Sequence, residues 1–246
     1  MRSDLLMSSK KTPRTISMTS SVIYFAISLV FNSAGNVLTL ISSAKIHPSF
    51  LGAAYWTAAE NNLGIALHWS LFWAFFGLGL LTAVLNAILV GHWSWSRVFG
   101  NIIFLGPFSL LIQFFDNIFV GLLPEAHGIV ADIIYVLMNF LGVAMIAMAI
   151  SIYQRVNLAL HPADDLMQIL RFKYCHGNAA TAMWFSYIPP TVMAIIAFCI
   201  TRDLGGSFGV GTLFAFFFQG GITGLSDKYV FPNLKHQAID VGKSDN

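Results

Sequence analysis

Residues 15–44 read TISMTSSVIYFAISLVFNSAGNVLTLISSA, a run of 30 residues without a charged side chain. A helix needs about 20 apolar residues to cross the hydrocarbon core of a bilayer, which is roughly 30 Å thick. A charged side chain at the centre of such a helix costs about 2.5 to 3.5 kcal/mol, so long uncharged runs mark the segments that can enter a membrane. This stretch is therefore predicted to be a membrane-spanning helix.

The whole chain has the composition of a membrane protein. Hydrophobic residues make up 57% of its 246 residues and charged residues only 10%, whereas soluble domains carry about 25% charged residues. These values exclude an ordinary soluble domain and a disordered chain, and they predict that the lipid bilayer is a partner.

The gaps between charged residues predict six crossings. Five further uncharged runs, of 36, 18, 22, 28 and 23 residues, follow the first. The predicted fold class is an all-α polytopic membrane protein. We expect its spans near residues 17–43, 69–91, 98–120, 128–153, 180–201 and 207–227.

The positions of the basic residues predict the orientation. With a cytoplasmic N-terminus, 11 of the 13 Lys and Arg residues fall inside, and only Lys45 and Arg202 fall outside. This asymmetry follows the positive-inside rule and predicts that both termini are cytoplasmic. The basic start before residue 17 also resembles a signal peptide, but the apolar run exceeds a normal signal core, so we expect an uncleaved first helix.

Matching segments predict an internal repeat. His47-Pro48 follows the first span and His161-Pro162 follows the fourth, at an offset of 114 residues, and Asp116 matches Asp227 at an offset of 111. Because each copy has three crossings, the second must be inverted relative to the first, an arrangement that recurs in secondary transporters. The predicted units are 17–122 and 123–231, between cytoplasmic tails 1–16 and 232–246.

Each copy is predicted to carry a short interfacial helix after its first span. The first lies within residues 47–67, and the second begins at Pro162, with Asp164 and Asp165 in its first turn. Pro and acidic residues at these positions are typical of a helix start. Two alternatives remain open, which are a packed connecting helix and a re-entrant segment that lines a transport pathway.

A family resemblance is clearest in the second copy. Three motifs carry it, and they are Pro162-Ala163-Asp164-Asp165-Leu166, Gly177-Asn178-Ala179 and Gly209-Val210-Gly211-Thr212-Leu213-Phe214-Ala215. With these motifs, residues 17–231 resemble the YczE/YyaS/YitT family of bacterial integral membrane proteins. The resemblance implies a protein of the bacterial cytoplasmic membrane, described as a permease, in some cases for sugars. The first copy departs from the pattern, because His47-Pro48-Ser49-Phe50 lacks the acidic pair.

Polar residues within the predicted spans are the candidate site, because a polar group in lipid without a partner is costly. The predicted substrate-binding residues are Asn32, Asn36, Gln113, Gln219 and Thr223, and the predicted gate or ion-coupling residues are Asp116 and Asp227. Hydrogen bonding between helices is the alternative explanation for the stripe in the first span.

Two predicted helix breaks complete the candidate site. Pro189 and Pro190 remove two backbone donors near the centre of the fifth span, and the repeat carries this position back to Gly77 and Gly79 in the second span. Interrupted helices at corresponding positions of two halves indicate the binding site of a transporter.

The function that these patterns favour is a secondary transporter or permease for a small polar solute or ion. The alternative is an accessory protein that binds another membrane protein and moves nothing, and a homo-oligomer is also open. The histidines are scattered and no phosphate-binding loop is present, so we expect no enzyme activity, cofactor, metal site or nucleic-acid partner.

The predicted orientation is testable by cysteine labelling. In a background with Cys175 and Cys199 replaced by Ser, a cysteine at Lys45 should react with a membrane-impermeant maleimide in intact cells. A cysteine at Lys235 should react only after the membrane is opened, because it follows the last span. Labelling of both positions from the same side would contradict the topology.

Overall fold

The computed structural model describes residues 14–69, 71–91, 95–203 and 207–237, and in this part of the chain it contains helices and no strand. Most of the predicted tails 1–16 and 232–246 lies outside these residues. The elements are α1 Met18–Ala44, α2 Tyr55–Ala66, α3 Leu71–Val90, α4 Trp95–Leu122, α5 Ile129–Val156, α6 Pro162–Ile169, a π-helical turn Leu170–Tyr174, α7 Ala179–Ser186, α8 Ile188–Thr201 and α9 Val210–Tyr229.

Among the residues that the structure describes, five segments are long and apolar enough to cross a membrane, which indicates a membrane protein. They are Met18–Ala44, Trp73–Val90, Arg97–Leu122, Ile129–Val156 and Ala179–Thr201. Their outer faces carry large exposed apolar side chains such as Leu81, Ile88, Leu110 and Ile129, as contact with lipid requires. The sixth predicted span corresponds to α9, which is not among the five in the described part of the chain.

The centre of the bundle is the antiparallel pair α1 and α5. The side-chain amide of Asn139 in α5 donates to the Thr39 carbonyl in α1, and that of Asn32 in α1 donates to the Tyr153 hydroxyl in α5. Position 39 therefore lies beside 139 and position 32 lies nearer to 153, so the two helices run in opposite directions. Their C-terminal ends lie at opposite ends of the bundle.

The two short helices are buried inside the bundle. In α2, Ala58 and Ala59 are 0% exposed, and in α6, Leu166 is 2% exposed and Met167 is 1% exposed. The prediction of two short helices is correct, and both bury side chains on several sides. Their placement at the membrane interface stays a prediction. They follow opposite ends of the α1–α5 pair.

The fifth span is interrupted and the second is not. Helix α7 ends at Ser186 and α8 begins at Ile188, with Pro189 and Pro190 at the start of α8. The break predicted at Gly77 and Gly79 is wrong, since α3 is continuous from Leu71 to Val90. Glycine keeps its backbone donor, and a helix interior tolerates it at a cost of about 1 kcal/mol, whereas proline loses the donor.

The C-terminal segment packs on the end of α5 through a buried arginine. The guanidinium of Arg155, 1% exposed, donates to the carbonyls of Val230, Phe231 and Leu234. Gln237 continues the contact, because its backbone amide donates to the Arg155 carbonyl. Residues 230–237 are thus part of the packed structure.

The close crossing of α1 and α5 predicts a sensitive position. A Cβ added at Gly142 would lie 2.7 Å from the Gly35 carbonyl oxygen and 2.8 Å from the Thr39 Cγ2. Gly142→Val should lower the free energy of unfolding by about 1 to 3 kcal/mol because the helices must separate. Gly106→Ala is the control, since nothing lies within 4 Å of a Cβ there. Equal thermal unfolding midpoints for the two variants in detergent would contradict the contact.

Candidate functional site

A polar cavity lies between the α1–α5 pair and the two short helices. It leaves about 50 Å³ for the centres of water molecules, room for about three to five waters. Its polar lining comes from α1, α2, α6 with its N-cap, and α9, which are distant in sequence. The polar lining residues are Asn32, Asn36, Tyr55, Thr57, Glu60, His161, Asp164 and Gln219.

A chain of hydrogen bonds crosses one wall of the cavity from α2 to α6. The Thr57 hydroxyl donates to Asn36 Oδ1 at 2.8 Å, and Asn36 Nδ2 donates to Asn32 Oδ1 at 2.6 Å. Asn32 Nδ2 then donates to the Tyr153 hydroxyl at 3.1 Å, and Tyr153 is hydrogen-bonded to the Asp164 carboxyl. The chain fixes both asparagine amides and joins the short helices α2 and α6 through α1 and α5.

The cavity holds three buried ionisable groups. Glu60 is 1% exposed, and burial together with the charge of Asp164 raises its carboxyl pKa well above the ordinary value. Burial also raises the pKa of Asp164 to about 7, although the Tyr153 hydrogen bond opposes the shift. Burial lowers the pKa of His161 to about 4, so this imidazole is neutral near pH 7.

Asp165, the neighbour of Asp164, has a different environment. Its carboxylate accepts a hydrogen bond from Arg97 Nη1 at 2.6 Å and further bonds from Asn86 and Asn101. The ion pair with Arg97 connects α6 to α4, and the bond from Asn86 connects it to α3. Asp165 is therefore a structural contact, whereas Asp164 faces the cavity.

Two open, apolar grooves flank the cavity. The α8–α9 groove leaves about 570 Å³ between residues such as Ile195 and Leu213, and the α3–α4 groove leaves about 480 Å³ beside Leu110. Tyr55 lines both the cavity and the α8–α9 groove, and its hydroxyl bonds Thr191 at 2.7 Å. On the other side, Phe75 and Phe108 line both the cavity and the α3–α4 groove. Aromatic side chains are thus shared by the cavity and each groove.

The structure brings together some of the predicted site residues. Asn32, Asn36 and Gln219 line the cavity, and the buried Thr223 hydroxyl donates to the Gln219 carbonyl one turn away. Gln113 is exposed on α4, where it bonds Asn117 and lines the α3–α4 groove. Asp116, one turn further along α4, is not part of the cavity lining.

Asp227 lies in an ion-pair cluster rather than in the cavity. Its carboxylate is 2.5 Å from Arg171 Nη2 and 3.5 Å from Arg155 Nε, and the Ser151 hydroxyl donates to it. The matching repeat position, Asp116, is half-buried on the outside of α4. The two aspartates therefore occupy different environments, although the repeat predicted similar positions.

Sequence reasoning did not select Glu60, His161 or Asp164 as site residues. Asp164 was interpreted as a helix-start residue and Glu60 as the polar end of an interfacial helix. A usable signal was present, because His47-Pro48 and His161-Pro162 place both short helices at equivalent positions of the predicted repeat. Acidic residues on buried helices of a membrane protein then become candidates for a central site.

The fold and the cavity together define a helical membrane protein with a buried polar site. The model of a family of unknown function, DUF6198, matches residues 18–228, from the start of α1 almost to the end of α9. The chain belongs to this family. No curated protein and no solved structure matches the chain. The resemblance to the YczE/YyaS/YitT family stays a prediction.

The shifted pKa of Asp164 predicts how stability depends on pH. Its ordinary value is 3.8 and its value in the fold is about 7, so between these values the folded state binds more protons than the unfolded chain. The free energy of unfolding contributed by this group therefore falls as the pH rises through this interval and is constant above it. Asp164→Asn should reduce the fall in thermal unfolding midpoint between about pH 5 and about pH 8.

Glu125→Gln provides the control for this measurement. Glu125 is a surface carboxyl whose pKa is lowered by its hydrogen bond with Lys45, so it stays ionised over the same interval. An unchanged pH slope in Asp164→Asn, or the same change in Glu125→Gln, would argue against a buried titrating Asp164.

Proposed function

We propose that the protein is a secondary transporter of the bacterial cytoplasmic membrane that moves a small polar solute or ion by alternating access. The observation that carries the proposal is the buried cavity lined by Asn32, Asn36, Gln219, Glu60 and Asp164. A membrane protein without a polar ligand has little reason to bury these groups in a cavity that also leaves room for water.

The proposed architecture has six crossings in two inverted repeats, with α9 as the sixth. The element order supports it, because each half has a long helix, a buried short helix, and two further helical segments. The antiparallel α1–α5 pair supports inversion, since these helices begin the two halves. The predicted cytoplasmic termini place the C-terminal end of α1 outside and that of α5 inside.

The two grooves support alternating access. They lie between α3 and α4 in the first half and between α8 and α9 in the second, which are corresponding helix pairs. Tyr55 borders the cavity and one groove, and Phe75 with Phe108 borders the cavity and the other. In the proposed mechanism, movement of Tyr55 connects the cavity to one groove, and movement of Phe75 and Phe108 connects it to the other. Alternating access requires that only one of these movements occurs at a time.

The size of the cavity limits the solute in this conformation. Space for about three to five waters admits an ion or a solute of a few atoms. A sugar, which the family resemblance implies, needs an opened state in which α2 or α6 has moved. The alternative function, an accessory protein that binds a partner membrane protein, is favoured by no particular contact described above.

Transport is testable in proteoliposomes supplied with labelled sugars, amino acids and inorganic ions. For a transported solute, Gln219→Ala should lower uptake about three- to tenfold, because it removes a hydrogen bond worth about 0.5 to 1.5 kcal/mol. Asn117→Ala, an amide truncation on the exposed face of α4 outside the cavity and grooves, should leave uptake unchanged. The absence of uptake across the panel, with a membrane protein that copurifies stably, would favour the accessory function.

A further inference from the structure

Two acidic side chains in the cavity lack a basic partner. Glu60 Oε1 is buried and has no hydrogen-bond partner, and Asp164 is close enough to Glu60 for their charges to repel. None of the described lining residues is a lysine or an arginine. Arg97 is bound at 2.6 Å to Asp165, so it does not neutralise either side chain.

The other titratable groups facing these carboxyls do not supply a positive charge. From α5 and from the turn between α7 and α8, Tyr153 and Tyr187 interact with Asp164, and Tyr55 of α2 packs 4.5 Å from the Tyr187 ring. The His161 Nδ1 accepts a hydrogen bond from the Ala163 amide, and its Nε2 has no partner. A tyrosine hydroxyl and a neutral imidazole leave the carboxyl charge uncompensated.

The charge must therefore be balanced by something that enters the cavity. Burying an ionised carboxylate without a counter-charge is so costly that the group takes up a proton or binds a cation instead. Both carboxyls line one cavity, and ionising both is harder than ionising one, so the pair retains a proton more readily than an isolated carboxyl does.

We propose that Glu60 and Asp164 together bind an exchangeable proton, which serves as the coupling ion of the transporter. The inference of coupling rests on the proposed function, whereas the proton site itself rests on the cavity. A divalent metal is less suited, because in the described chain no three His, Cys, Asp or Glu residues are grouped to hold one.

The hydrogen-bond chain provides a route from protonation to movement. Asp164 is its terminal acceptor, and ionised Asp164 attracts the Tyr153 hydroxyl more strongly than the protonated form does. Loss of this charge weakens the contact of α6 with α5 and, through Asn32 and Asn36, alters the setting of Thr57 on α2. The protonation of Asp164 is therefore linked to α2, the helix that carries Tyr55 at the border of the α8–α9 groove.

Infrared spectroscopy of the purified full chain tests the proton site without knowledge of the solute. The wild type should show the carbonyl stretch of a protonated carboxyl group, shifted in D₂O and lost as the pH rises. Glu60→Gln and Asp164→Asn should each change this titration, whereas Glu125→Gln, a surface carboxyl paired with Lys45 at 2.9 Å, should not. Identical titrations in all four proteins would overturn the proposal.

Proteoliposomes separate the proton site from transport. An imposed pH gradient should drive accumulation of a transported solute in the wild type and in Glu125→Gln, and the accumulation should be lost in Glu60→Gln and Asp164→Asn. Proton coupling would be overturned by uptake that is independent of the pH gradient, that depends on a sodium gradient, or that persists in both variants. Each of these results would leave the proposed function intact. An intact carboxyl titration with no uptake of any solute would support the proton site and refute transport.

Discussion

The polar side chains of α1 lie inside an apolar bundle and must find hydrogen-bond partners there. The other contacts of the structure depend on this requirement. Asn32 and Asn36 lie where neither lipid nor bulk water offers a partner, so α5 and α2 must supply the Tyr153 and Thr57 hydroxyls. This requirement holds α2 in the interior and aligns α5 against α1. Polar bonding and close packing therefore specify the same arrangement, which is typical of helices in membranes.

The adjacent acidic residues Asp164 and Asp165 on α6 have different roles. Asp165 is neutralised by Arg97 and anchors α6 to α3 and α4. Asp164, on a different side of the same helix, is left facing the cavity. The anchored residue keeps its neighbour in an environment that α6 alone would not maintain, because a short helix has too few contacts to hold an uncompensated acid in place.

Charge spacing predicted the helices well because a charged residue within the hydrocarbon core is costly, and all six predicted ranges overlap observed helices. Asn32, Asn36 and Gln219 were identifiable for the same reason. The position of Glu60 was not, since a buried re-entrant helix and a surface helix can share one amphipathic pattern. The break expected at Gly77 is absent because glycine keeps the backbone donor that proline lacks, so the offset between the halves did not carry the break over. Asp227 has partners in segments that no local pattern connects to it.

The burial of Arg155 has a consequence for biosynthesis. Its guanidinium is held by carbonyls of Val230, Phe231 and Leu234, so its Nη donors gain these acceptors only after residues 230–234 have been synthesised. A prematurely terminated chain would retain all of α5 and expose this charge at the packed end of the bundle. The packing at the end of α5 is thus completed by a segment that lies 75 residues further along the chain.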